Sequence, residues 1–203
     1  FDSLAKPTER KNLDAYFTSF FNSFLNFGNL TGKKKYIIAF TPRIIMHEGS
    51  IKNFFEIYPD GNIFTVIREP ISWLASAVTH SDEYKDHIHA LKLWLKSTKD
   101  SLKHAKNNSR VTLIMFEELI QDTEITVNRL CKKLGINFEK EMLTPTFNSE
   151  LTLSDSSFKA QSGIDKTASD RKKKINVSSV DTELLEECKD FYHQALEHYR
   201  AWL

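Results

Sequence analysis

Glycine is scarce and scattered, six in 203 residues. No Walker-type loop, in which clustered glycines let backbone N–H groups wrap a nucleotide triphosphate, is present. Cysteine is scarcer still. Cys131 and Cys188 both fall on apolar helical faces, which excludes a disulfide framework and a thiolate metal site and makes them reduced core residues. The seven histidines are dispersed; His80, His87 and His89 gather loosely but no second cluster completes a ligand set, so no metal is expected. Charge of one sign is lacking too: a net +1 gives no general field for polyanions, and no nucleic-acid partner is expected. There is no run of about 18 apolar residues, the length a membrane-spanning helix needs, within this region. The Asn-x-Ser/Thr triplets at Asn29, Asn107 and Asn176 arise readily by chance in a chain rich in these residues, and localisation stays open.

What is present is enough for one core. A chain of 203 residues, 40% hydrophobic and 27% charged, buries a single domain. Apolar periodicity predicts helices near 9–27, 49–57, 70–79, 83–106, 122–134 and 181–202, and strands near 35–41, 62–68 and 111–116. Strands alternating with helices imply an α/β fold, a three-layer parallel sheet flanked by helices. Neither an internal repeat nor a low-complexity run is visible. The last helix carries Leu184, Leu185, Cys188, Phe191, Tyr192, Ala195, Tyr199 and Trp202 on one broad stripe, which closes the core most simply. The first is unusual: Leu13, Tyr16, Phe17, Phe20, Phe21, Phe24 and Phe27 make an aromatic face, and no charge occurs from Ala15 to Thr31. A dense core helix, the wall of an acceptor pocket, and a homodimer or membrane-surface contact all fit that face.

The most informative stretch runs from Asn62 to Ser76. Ile63, Phe64, Val66 and Ile67 form a short apolar run of the kind covered on both faces of a sheet, and Pro70 has a φ suited to the first position of a helix. Arg68 therefore stands at a strand's carboxyl end, with Ser76 about two turns into the next helix. Ligands of open parallel sheets bind outside those ends, where a guanidinium grips phosphate and a hydroxyl adds a hydrogen bond. An Arg in that place also pairs with carboxylates, and Ser76 can face a neighbouring helix. Both readings stand on spacing alone.

The Arg68-x-Pro70-x-x-x-x-x-Ser76 pattern resembles the 3′-phosphate-binding motif of sulfotransferases that use 3′-phosphoadenosine 5′-phosphosulfate (PAPS). A second block, Val111 to Phe116, Glu117-Glu118-Leu119, then Thr126 to Leu134 and Gly135, resembles that family's strand, Tyr-Glu-Asp-Leu, helix and Phe-Leu-Gly sequence. Asp122 or Thr123 caps the helix, whose Val127, Leu130, Cys131 and Leu134 recur at core spacing before Gly135 ends it. The family's adenine-bordering aromatic falls on Phe116, which keeps a stacking face but lacks a phenol hydroxyl. A third segment, Lys35 to Arg43, is similar to the one beside the transferred sulfuryl group, but Phe40 stands at the family lysine and Pro42 at the family histidine. Arg43 and His47 are the catalytic substitutes at hand, with Glu48 a further base.

The resemblance implies a P-loop-kinase-like fold, PAPS as sulfuryl donor without a metal, and a hydroxyl or amine acceptor, carbohydrate or small molecule. Family members open with a strand and a Gly-containing loop that cradles the 5′-phosphosulfate; none occurs from Phe1 onward, and a preceding N-terminal piece is expected to hold it. Residues 1–203 then form one sulfotransferase-like domain lacking that first part. Residues 144–179 dissolve into Ser, Thr, Asp and Lys, a loop or lid whose Lys166, Arg171 and Lys172, in a basic run to Lys174, would close over the 3′-phosphate. Two other readings remain: a nucleotide-binding or phosphoryl-transfer protein of related fold, and a non-catalytic module retaining it.

Overall fold

The computed structural model describes residues 10–13, 16, 36, 38–41, 43–144, 146–147, 150–151, 164, 166 and 181–202. The chain divides into two compact units, residues 1–62 and 63–203.

In the first unit, residues 10–13 and 16 are helical, as the periodicity predicts. The aromatic face from Phe17 to Phe27 lies outside the described residues. Arg10 donates to both carboxylate oxygens of Asp60, at 2.7 and 3.1 Å, and this bidentate pairing holds the Asp60 carboxyl below its usual range. Helix α1, Glu48–Ile57, follows a short 3₁₀ turn at Ile44–Met46. Its end turns at Gly61, where a Cβ would stand 2.7 Å from the Phe54 ring, so any other residue would have to displace that ring. Of the strand expected over 35–41, the described residues 36 and 38–41 carry no ladder, and Ile38 and Phe40 are 88% and 92% exposed. An apolar alternation becomes a strand only when a neighbour takes up its backbone hydrogen bonds.

The second unit carries a parallel pair, β1 (Ile63–Ile67) and β2 (Val111–Met115), in the register Ile63↔Val111 through Ile67↔Met115. Between them run α2 (Pro70–His80) and α3 (His87–Asn107), the crossover that a parallel pair requires. After β2 come α4 (Phe116–Gln121) and α5 (Thr123–Leu134), then the small antiparallel pair β3 (Thr146–Phe147) and β4 (Glu150–Leu151), and last α6 (Thr182–Ala201). All five residues of β2 are buried, as a continuous apolar run implies. Coverage of β1 is less complete than its apolar run predicts. Thr65 shares a 3.2 Å hydroxyl contact with Ser101 of α3, which places α3 over the Ile63–Thr65–Ile67 side, whereas Val66 on the other side is 53% exposed.

Helix caps explain where the elements begin. Asp86 accepts from the backbone N–H groups of Ile88 and His89 at the start of α3, Asp181 accepts from that of Leu184 at the start of α6, and Gly135 ends α5 in the left-handed conformation at φ 64°. On α5 the buried residues are Thr126 and Cys131, with Val127, Leu130 and Leu134 half-buried; Thr126 meets the hydroxyl of Tyr199 on α6 at 3.4 Å. The stripe on α6 buries Leu185, Cys188, Ala195 and Tyr199 fully. Cys188 is 0% exposed against α3, with its Sγ 3.8 Å from the carbonyl of Leu91.

Burial first, then the neighbouring Glu187 carboxylate, pushes the Cys188 thiol up to about 12. Folding therefore favours the protonated thiol. Its contribution to stability is intact below the ordinary thiol value of 9.0 and is lost as the pH rises from there through about 12. Neither cysteine should react with a thiol reagent in the native protein, and both should do so in denaturant. Replacing Cys188 with Ala should flatten the alkaline limb of the stability profile, measured by urea unfolding across this range.

Candidate functional site

The carboxyl ends of β1 and β2 lie side by side, so the residues that follow them, Arg68 and Phe116, are brought together. The centre of the Arg68 guanidinium lies 4.5 Å from the centroid of the Phe116 ring, a cation–π stack, and its Nε is buried. Phe116 opens α4 and does not end β2, one residue short of the expected strand. The ring thus stands at the first turn of a helix, where both it and Arg68 are half-buried.

The backbone after Arg68 is pinned by side chains distant in sequence. The indole N–H of Trp94, on α3, donates to the Arg68 carbonyl at 3.1 Å. The next backbone N–H, that of Glu69, donates to Oε1 of Glu117 at 3.0 Å, and the hydroxyl of Tyr192 on α6 donates to Oε2 of the same carboxylate, also at 3.0 Å. Burial, and then the adjacent Glu117 carboxylate, drive the Tyr192 phenol well above its ordinary value, so it stays a donor throughout the accessible range. The Glu69 side chain accepts from the N–H of Ser72 at 2.8 Å and is the N-cap of α2, directly before Pro70.

Ser76 lies on α2 one turn beyond the fully buried Ser72, partly exposed, and its carbonyl accepts from the Thr79 hydroxyl at 2.7 Å. Lys166 is exposed and clasped to the far end of α4: its Nζ donates to the Gln121 carbonyl at 3.3 Å, and the Gln121 side chain donates to the Lys166 carbonyl at 3.1 Å. Arg171 and Lys172 lie outside the described residues. Arg43 and His47 belong to the first unit. Arg43 is exposed at a left-handed φ of 66°, an uncommon backbone state for a residue with a Cβ, and His47 is exposed at the entry to α1. Among the described residues no cluster of His, Cys, Asp and Glu fit to hold a metal occurs, and no helix is long and apolar enough to cross a membrane.

Sequence reasoning missed Glu69, Trp94, Glu117 and Tyr192. Glu69 had a readable signal, an acceptor side chain just before a proline at the first helical position. Glu117 and Tyr192 meet across 75 residues, and periodicity gives no pairing at that range.

The sulfotransferase family profile matches residues 2–140, more than half the chain, and the chain belongs to that family. Two solved structures share the fold. The sulfotransferase domain of the Synechococcus PCC 7002 olefin synthase superimposes with a TM-score of 0.64 at 16% identity, over 86% of this chain and 63% of that one. The sulfotransferase domain from the curacin biosynthetic pathway does so with a TM-score of 0.56 at 19% identity, over 76% and 60%. The chain thus spans somewhat under two thirds of the length of each. The α/β fold is that of the P-loop-like sulfotransferases. No curated protein matches the chain.

Removing the cap of α2 tests the local construction. Glu69→Ala should cost about 1 kcal/mol, the usual value of an N-cap, read as a lower urea midpoint with an unchanged denaturant slope.

Proposed function

We propose that this chain holds the adenosine 3′-phosphate side of a PAPS-dependent sulfotransferase site and takes part in sulfuryl transfer to a hydroxyl or amine acceptor, a carbohydrate or small molecule. Arg68 and Ser76 bind the 3′-phosphate, Phe116 flanks the adenine, and Lys166, Arg171 and Lys172 of the late loop, residues 144–179, close over both. Residues 1–203 serve as one catalytic domain.

The observation that carries the reading is the Arg68–Phe116 stack at the ends of two parallel strands. It sets a planar cation and an aromatic face together where α/β folds bind ligands, one matched to phosphate and the other to a purine. Glu69 argues against the simplest alternative anion site, the N-terminus of α2, because its carboxylate already accepts from Ser72 there. A phosphate is therefore held by side chains, the guanidinium fork and a hydroxyl further along the helix.

Bound PAPS would supply the activated sulfuryl group. Of this chain's residues, Arg68 and Ser76 orient its adenosine end, and Phe116 limits water against the base. In-line transfer of this kind depends more on positioning and charge stabilisation than on covalent chemistry. Arg43 and His47 remain the catalytic pair proposed from the family's sulfuryl-side segment, with His47 or Glu48 taking the acceptor proton.

Thermal-shift and calorimetric titration with 3′,5′-adenosine bisphosphate, AMP and ATP tests the reading. The bisphosphate should bind at least tenfold more tightly than AMP, and Arg68→Ala should remove that preference, a loss of about 1.5–3 kcal/mol for one charge-assisted contact. Selectivity for ATP would favour a phosphoryl-transfer protein, and indifference to all three a module that kept only the fold.

A further inference from the structure

The two side-chain hydrogen bonds beside Arg68 fall on a single peptide unit. The carbonyl that Trp94 holds at 3.1 Å and the N–H that Glu117 holds at 3.0 Å belong to the Arg68–Glu69 bond. In a trans peptide these two groups point in opposite directions, so the unit is gripped from both sides. Its rotation fixes ψ of Arg68 and φ of Glu69. Those two angles in turn relate the Arg68 side chain to the axis of α2, which Glu69 caps and which carries Ser76.

From this we infer that Trp94, Glu117 and Tyr192 are positioning residues that set the angle between Arg68 and α2 and so tune recognition of the 3′-phosphate. The inference rests on the 3′-phosphate reading and deepens it. Each residue has a separate part. Trp94, 5% exposed on α3, fixes the carbonyl. Glu117 fixes the N–H and sits next to Phe116 on the first turn of α4, so the aromatic platform and one jaw of the clamp move as one piece. Tyr192 occupies the second oxygen of Glu117 and keeps the first aimed at the Glu69 N–H, which ties the strand end to the C-terminal helix α6. None of the three needs to touch the nucleotide. A site that grips phosphate through a directional fork loses affinity when the fork is displaced by an ångström or less, whereas contacts to the rest of the nucleotide tolerate it better.

A role confined to stability would weaken all nucleotides alike; a positioning role weakens the one that carries a 3′-phosphate. The readout is therefore the ratio of AMP to 3′,5′-adenosine bisphosphate dissociation constants, measured by calorimetry on the folded protein. Trp94→Phe and Glu117→Ala should each lower this ratio about five- to tenfold while leaving AMP affinity within about twofold, the size expected from an ångström-scale misplacement. Glu117→Gln should restore most of the ratio, since its amide can accept from Glu69 with the oxygen and donate to Tyr192 with the nitrogen. Tyr192→Phe should have a smaller effect, about two- to threefold.

A parent protein without 3′-phosphate preference would overturn the nucleotide reading and this inference together. A parent whose preference is lost in Arg68→Ala but kept in Trp94→Phe and Glu117→Ala would overturn this inference alone. Should those variants fail to fold, hydrogen exchange in the unliganded parent decides. A Glu69 amide that is slowed, and that speeds up in Tyr192→Phe, supports the clamp, and one that exchanges freely in the parent overturns it.

Discussion

The parallel register of β1 and β2 is the constraint from which the site follows. With Ile67 opposite Met115, the next residue of each strand, Arg68 and Phe116, has to emerge beside the other. A shift of one residue would separate them by about 3.3 Å along the strand and turn one side chain to the opposite face. Burial enforces the register. Every residue of β2 is shielded from solvent, and Thr65 of β1 meets Ser101 of α3, so a slipped pairing would expose apolar side chains and strand polar ones.

On that base the polar network adds direction. A carboxylate with both oxygens engaged, as at Glu117, has little freedom left to rotate, and a phenol whose proton is held by burial and by that same carboxylate is a permanent donor. Networks of this kind are stabilising only when each member is satisfied. Here the chain of partners runs from α6 through α4 to the strand end and on, through the Glu69 cap, into α2. Three separated stretches of sequence, β1 with α2, α4, and α6, are thus linked through one peptide bond.

Much of this unit was legible in the sequence because its signals are local. The apolar run from Ile63 to Ile67, Pro70 after an acceptor residue, and Gly135 at a helix end each act through neighbours, and β1, α2 and α5 begin and end within a residue of the expected bounds, whereas α3 begins at His87, four residues after the expected start. The same locality allowed Arg68 to be named, since it follows directly from its strand, whereas Phe116 was named from the family resemblance and was expected inside its strand. Failures occurred where an outcome depends on a partner. Residues 38–41 have strand-like chemistry but no ladder, and the first turn of α4 takes Phe116 because the backbone turns immediately after Met115. In sequence, Glu117 is only part of a block after a strand and Tyr192 only one of a core stripe, until the tertiary fold sets their side chains 3.0 Å apart.

Lys166 shows how the late loop bears on the same framework. It is fastened at Gln121, the last residue of a six-residue helix whose first residue is Phe116, so its anchor and the aromatic ring are separated by only about 7.5 Å along the axis. The lysine bond to a backbone carbonyl is long, 3.3 Å, and exposed, and such a bond contributes about 1 kcal/mol or less. A phosphate dianion is a far stronger partner for an ammonium than a carbonyl is. The Gln121 amide would still grip the Lys166 carbonyl and keep the backbone registered while the ammonium swings. In the closure proposed over the 3′-phosphate, separate fastening of backbone and side chain would let the first preserve position while the second is exchanged for the ligand.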